Sequence, residues 1–130
     1  MKNKIKVVQE FHKNFGLGVQ KKPTAKLSEE LIDLRYNLLE EENKEYIEAA
    51  KNNDLVEVAD ALGDMLYIIF GTILEHGLQD KMEAVFDESQ LSNMSKMGKD
   101  GKPVYREDGK ILKGPDYFEP DIKSILKIDL

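Results

Sequence analysis

At 130 residues, with 41% apolar and 34% charged side chains, the sequence describes one globular, well-solvated domain rather than a disordered chain. A net charge of −6 argues against binding a nucleic-acid polymer, and the lack of cysteine excludes disulfides, thiolate metal sites and a cysteine nucleophile. No apolar run is long enough to span a bilayer, and Met1-Lys2-Asn3-Lys4-Ile5 does not read as a secretory leader, so the expected location is cytoplasmic, away from membranes.

The first helix is expected over Ile5 to Phe15, where Val7, Val8, Phe11 and Phe15 keep helical spacing; Gly16-Leu17-Gly18 ends it and Lys21-Lys22-Pro23-Thr24 reads as a loop. A second helix begins after Ser28, an N-cap residue followed by Glu29 and Glu30 in the first turn, where the helix dipole favours acids. Its stripe runs through Leu31, Leu34, Leu38, Leu39, Tyr46 and Ala49 to a break at Asn52-Asn53-Asp54. The third helix, from about Leu55 to Glu75, is apolar on every side between Met65 and Phe70, which predicts burial on every side and hence self-association; His76-Gly77 stops it. A fourth helix is expected from about Asp80 to Lys96, with Met82, Val85, Phe86 and Leu91 on its apolar face. Turn signals then recur at Lys99-Asp100-Gly101, Asp108-Gly109 and Gly114-Pro115. Pro103 to Arg106 and Lys110 to Lys113, flanking Glu107-Asp108-Gly109, predict a small β-hairpin, and the tail from Pro115 is expected on the bundle surface. The fold class is therefore all-α: a four- to five-helix bundle over about 5–97, with a C-terminal β-hairpin and tail over about 98–130.

Two groups of acids interrupt this apolar pattern. On the second helix Glu42 and Glu45 continue the stripe Leu31, Leu38, Glu42, Glu45, Ala49, with Glu41 beside them. On the third helix Glu57, Asp60 and Asp64 share the face that leads on to Tyr67, Ile68 and Gly71. An antiparallel pair of helices joined by a short turn sets the two groups opposite each other. Acids are costly to bury without a positive partner, and a hard divalent cation with oxygen ligands is the usual compensation. A Mg²⁺ site is thus expected at Glu42, Glu45, Glu57, Asp60 and Asp64, in place of a merely solvated helix face flanked by Lys44 and Lys51.

Glu42-x-x-Glu45 followed by Glu57-x-x-Asp60 resembles the ExxE…ExxD signature of the all-α nucleoside triphosphate pyrophosphohydrolases, the MazG-like and phosphoribosyl-ATP pyrophosphohydrolase-like proteins. The resemblance extends through Asp60-Ala-Leu-Gly-Asp64-Met-Leu-Tyr67, Phe86-Asp87-Glu88, Ser92-Asn93-Met94-Ser95-Lys96, Tyr105-Arg106-Glu107-Asp108-Gly109-Lys110 and Lys113-Gly114-Pro115. It covers about Phe11 to Ile122. In one departure, many relatives place Glu-x-x-Asp directly before Leu-x-Tyr; that register puts Asp64 in the Asp position but Ala61 in the Glu position, with Asp60 one residue away as its substitute.

The resemblance implies hydrolysis of a (d)NTP between the α and β phosphates, giving a monophosphate and pyrophosphate, with Mg²⁺ (Mn²⁺ as substitute) and a homodimeric or homotetrameric helical bundle. Within it, Glu42, Glu45, Asp60 and Asp64 are the expected ligands, ahead of Glu57, and Glu41 or Glu45 the proton acceptor. Asn93 and Lys96 are expected at phosphate or sugar, Arg106 and Lys113 closing over the triphosphate, with Lys110 of the same hairpin read rather as a solubilising surface charge, and His12, in Phe11-His12-x-x-Phe15-Gly16, at the substrate. Phe11, Phe15 and Tyr67 are read as core. Phosphoribosyl-ATP hydrolysis is the alternative within the class. A di-iron bundle is disfavoured because no His follows a clustered Glu by three residues, and a non-catalytic acidic adaptor is the alternative outside enzymes.

Overall fold

The computed structural model describes residues 1–98 and 100–127. Five helices and one hairpin form in the order α1 (Lys2–Asn14), α2 (Glu29–Lys51), α3 (Leu55–Glu75), α4 (Met82–Met94), β1 (Val104–Tyr105), β2 (Ile111–Leu112) and α5 (Ile122–Leu126). The fold class is all-α, as the sequence implies. The chain separates into two compact units, Met1–Asp80 and the residues from Lys81 on, so the helical core expected over about 5–97 is divided before α4.

In the first unit α2 and α3 form the principal helix pair, and α1 packs on α3. Ser28 caps α2 by accepting from the Leu31 amide at 3.2 Å. The same device starts α3, where Asp54 accepts from the Glu57 amide at 3.2 Å. Each cap satisfies one of the amide donors that a helix start leaves open. Between them the chain reverses in three residues. Asn53 takes a left-handed conformation (φ 55°), which asparagine tolerates better than most, and the Asp54 amide returns to the Ala49 carbonyl at 2.9 Å. This turn makes α2 and α3 antiparallel neighbours.

The loop after α1 is stitched to the end of α3. The Gln20 amide donates to the Leu74 carbonyl, the Thr24 amide to the His76 carbonyl, and His76 Nδ1–H to the Thr24 carbonyl at 2.8 Å. Gly77 (φ +68°) ends α3 against this loop; a Cβ there would stand 2.2 Å from the Lys22 carbonyl oxygen.

Among the described residues the buried apolar side chains are few: Ile5 and Val8 of α1, Ala49 of α2, and Ala61, Ile73 and Leu74 of α3. The burial of α3 on every side that its composition predicts is not met within one chain. Leu62, Leu66 and Ile69 are 45%, 54% and 39% exposed, because α1 and α2 together cover only part of its circumference. Phe11, Phe15 and Tyr67, read as core, are also exposed; they cluster on one another instead, Phe11 against Phe15 at 4.4 Å and edge-on to Tyr67 at 5.5 Å between ring centroids.

In the second unit the predicted hairpin forms over shorter strands, pairing Val104 with Leu112 and Tyr105 with Ile111 antiparallel. The turn expected at Lys99-Asp100-Gly101 begins on a residue outside those described; Gly101 itself has φ +73°. The tail is more ordered than the sequence suggests. Asp121 caps α5 by accepting from the Ser124 amide, and α5 packs on α4. Ser92, 3% exposed, donates to the Phe118 carbonyl at 2.8 Å, while Ser95 Oγ accepts from the Phe118 amide at 3.1 Å.

Gly77→Ala is expected to destabilise the first unit by about 2 kcal/mol or more, since it combines a left-handed backbone with a clash against main chain rather than a flexible side chain. A thermal or urea melt checks this, and Asn53→Gly, which relieves a left-handed residue, should be neutral or mildly stabilising in the same assay.

Candidate active site

The α2–α3 pairing brings the two acidic groups together. Glu42 is the residue it burdens most. One carboxylate oxygen, Oε2, is buried and has no hydrogen-bond partner. Burial pushes the Glu42 carboxyl up to about 7 from an ordinary 4.5; a hydrogen bond with the Glu45 carboxyl and the charges of Glu45, Asp64 and Asp60 push the same way. The four acids therefore share one electrostatic neighbourhood, and Glu42 sits deepest in it. Glu45, Asp60 and Asp64 are exposed and have room to rotate.

Toward the α2–α3 turn the acids line an open cleft of about 440 Å³, walled by Glu45, Glu48, Ala49, Asn52, Asp54, Glu57 and Asp60. Glu57, ranked below the aspartates in the sequence, stands in this cleft beside Asp60. Glu48 and Asp54 join it, although the motif does not include them. Glu48 follows Glu45 by three residues and so shares its helix face, a signal present in the sequence and not used. Glu41 is exposed and is not part of the cleft wall; Glu40 beside it pairs with Lys44 at 3.1 Å, the solvated-face arrangement.

The donor set suits a hard divalent cation: every candidate ligand is a carboxylate oxygen, and Glu42 Oε2 is a buried acceptor without a partner. Among the described residues no three such side chains close on a common point. The carboxylates converge without closing, as like charges do.

His12, expected at the substrate, is not among the residues of this cleft wall. It is 2% exposed, buried between α1 and α3, where its Nδ1–H donates to the Gly18 carbonyl at 2.8 Å and stands 3.5 Å from Glu75 Oε1. Its position on the inner stripe of α1, one heptad after Ile5, forces it into the packing. Sequence reading also missed the charged residues around it. Glu75 is 3% exposed, and Arg35 of α2 donates from Nε to Thr72 Oγ1 at 3.0 Å and from Nη2 to the Ile68 carbonyl at 2.8 Å.

The remaining predicted contacts lie in the second unit. Asn93 and Lys96 are three residues apart at the end of α4, Asn93 exposed and Lys96 half-buried, while Ser92 and Ser95 of the same segment hold the tail. Arg106, expected to reach a triphosphate, is bound instead by Asp108 through both Nε and Nη2, an ion pair closed by the tight turn between them. Lys113 lies over the Tyr117 ring at 4.8 Å. Lys110 is exposed on the hairpin.

A helical bundle whose central helix pair carries facing carboxylates on Glu-x-x-Glu and Glu-x-x-Asp spacings defines the all-α nucleoside triphosphate pyrophosphohydrolase class. The phosphoribosyl-ATP pyrophosphohydrolase family model matches residues 8–93, about two thirds of the sequence, and the chain belongs to that family. The match ends before the hairpin. The chain is also 36% identical over 67 residues to an uncharacterised protein of Acanthamoeba polyphaga mimivirus; the match covers 49% of this chain and 27% of that one, so the chain spans about a quarter of its relative's length. Among the described residues no helix is long and apolar enough to cross a membrane.

The raised Glu42 carboxyl fixes a sign. Unfolded, it ionises near 4.5; folded, near 7, so folding becomes less favourable as pH rises through that interval. In EDTA the melting temperature should therefore fall between pH 4.5 and 7, and Glu42→Gln should flatten that slope. Differential scanning fluorimetry across the range tests both.

Proposed function

We propose that this chain is a Mg²⁺-dependent nucleoside triphosphate pyrophosphohydrolase, converting a (d)NTP to the monophosphate and pyrophosphate. The observation that carries the reading is the partnerless, buried Glu42 Oε2 at the focus of the α2–α3 carboxylates, in a chain of the phosphoribosyl-ATP pyrophosphohydrolase family. Glu42, Glu45, Asp60 and Asp64 would hold the cation, with Glu57 and Glu48 beside them at the cleft wall. When bound, Mg²⁺ (or Mn²⁺) supplies charge neutralisation for the phosphate oxygens and orientation of water.

The chain's own part is positioning and proton transfer. Water adds to one phosphorus of the α–β bridge as that phosphorus's bond to the bridging oxygen breaks and the oxygen leaves with the other phosphate, giving monophosphate and pyrophosphate; an exposed carboxylate of the cleft, Glu45 in our reading, takes the proton. No serine, cysteine or histidine nucleophile is needed, and His12 is occupied in the packing. Glu41, outside the cleft wall, acts through its neighbours. Asn93 and Lys96 are assigned to phosphate or sugar on residue chemistry alone, with Arg106 and Lys113 after them, since each already has a partner. The family model favours phosphoribosyl-ATP as the second substrate to try.

Self-association and a cytoplasmic location belong to the same proposal. The exposed apolar residues Leu62, Leu66 and Ile69 of α3 and Val7 of α1 support a homodimer or homotetramer.

Pyrophosphate release from a panel of NTPs, dNTPs and phosphoribosyl-ATP, with Mg²⁺ and with EDTA, tests the reaction. Release is expected only with the metal, and Glu42→Gln should lower kcat/KM by roughly 100-fold or more. No release from any nucleotide by folded protein would overturn the reading in favour of an acidic adaptor. Sedimentation should give a dimer or tetramer, and Leu66→Glu should shift it toward monomer; a monomeric wild type would refute self-association.

A further inference from the structure

The turn at Asn52 to Asp54 makes α2 and α3 neighbours, but it lies at one end of the pair, and the acids repel across the seam. Something further along the helices must fix their axial register. Arg35 lies seven residues before Glu42 on α2, two turns away on the same face. Its guanidinium donates to two atoms of α3, the Ile68 carbonyl at 2.8 Å and Thr72 Oγ1 at 3.0 Å. Thr72 Oγ1 in turn donates to the same Ile68 carbonyl at 2.8 Å. Ile68 and Thr72 continue, at four-residue steps, the ridge that carries Asp60 and Asp64.

We infer that Arg35 is a positioning residue for the acidic cleft: its two-point grip on Ile68 and Thr72 sets the register that holds Glu42 opposite Asp60 and Asp64. The inference rests on the proposed function only for its catalytic consequence. A slip of one residue along either helix displaces the seam by about 1.5 Å, enough to break a two-point hydrogen bond and to change which acids face each other.

The rest of the first unit is arranged around this grip. Gly71 lies between the two points of contact, and a Cβ there would stand 2.6 Å from Arg35 Nη2 and 2.7 Å from His12 Nε2. Glu75, one turn further along α3, supplies the opposite charge, and burial and Glu75 act in opposite directions on the guanidinium. Glu75 is held by His12, and it occupies the space that a Cβ on Gly18 would enter, 2.7 Å from Oε1. Two side chains without volume and two buried charged or polar partners thus converge on one arginine.

The test separates grip from charge. Arg35→Lys keeps the charge facing Glu75 but has a single ammonium in place of a planar fork. Thr72→Val removes only the hydroxyl, and Thr72→Ser restores it. The readouts are Mn²⁺ affinity by electron paramagnetic resonance, turnover, and the distance between nitroxides at Asn37→Cys and Leu55→Cys, in protein diluted with unlabelled chain. All are made well below each variant's melting temperature. Arg35→Lys and Thr72→Val should bind Mn²⁺ at least roughly tenfold more weakly, lower kcat more than they change KM, and shift or broaden the nitroxide distance, while Thr72→Ser behaves as wild type. Folded Arg35→Lys and Thr72→Val with wild-type Mn²⁺ affinity overturn the inference, whether or not their melting temperatures drop. If wild type neither binds Mn²⁺ nor releases pyrophosphate, the functional reading fails separately. The nitroxide distance then decides the grip alone: a shift in both variants upholds it and an unchanged distance overturns it.

Discussion

Four carboxylates on two touching helices is the constraint to which the first unit answers. Burial, and then Glu45, Asp64 and Asp60, raise the proton affinity of Glu42, whose buried Oε2 has no hydrogen-bond partner. Nothing in that seam favours α2 lying against α3. The pairing has to be imposed from outside the seam, by the capped three-residue turn at one end and by the Arg35 contacts at the other end. A cluster held against its own repulsion is the feature on which the proposed cation site rests.

The same unit keeps two kinds of buried charge apart. The carboxylate seam is open on one side to a cleft, so its charges can be met by a ligand. The Arg35, Glu75 and His12 group is closed, with Glu75 and His12 nearly inaccessible and each hydrogen-bonded or paired within the protein. Charges that balance internally serve packing and register, at a desolvation cost that only good geometry offsets. Charges that do not balance are the ones available for chemistry. By that criterion His12, placed by its neighbours at the substrate, belongs to the scaffold, and Glu48, absent from the motif, belongs to the cleft.

The second unit shows how one short motif can serve two ends. In Ser92-Asn93-Met94-Ser95-Lys96 the serines turn inward and hold Phe118 by its carbonyl and amide, fastening the tail to α4. Gly114 comes so close to the Lys96 and Met97 carbonyls that no Cβ fits, which accounts for glycine in Lys113-Gly114-Pro115. Hydrogen bonds of this kind add about 1 kcal/mol each, enough to order a short tail that has little apolar surface of its own.

How much of this was legible in the sequence follows from the range of the forces involved. Helix starts at Ser28 and Asp54, the stop at Gly77, and the hairpin around Asp108-Gly109 rest on signals from residues no more than eight apart in the chain, and the sequence alone determined them. That the two acidic groups lie on one side of an antiparallel helix pair was legible too, from helix periodicity and one short turn; which acids face each other depends on the register. The membership of the cleft wall, the burial of His12, the partners of Arg35 and Glu75, and the capture of Arg106 by Asp108 were decided only by tertiary structure. Each depends on which of several residues on a helix face meets a neighbour, and a rotation of a few tens of degrees or a slip of one residue changes the answer without altering the pattern. The aromatic residues Phe11, Phe15 and Tyr67 make the same point: periodicity assigned them to an apolar face, but only the packed helices show that this face is left uncovered.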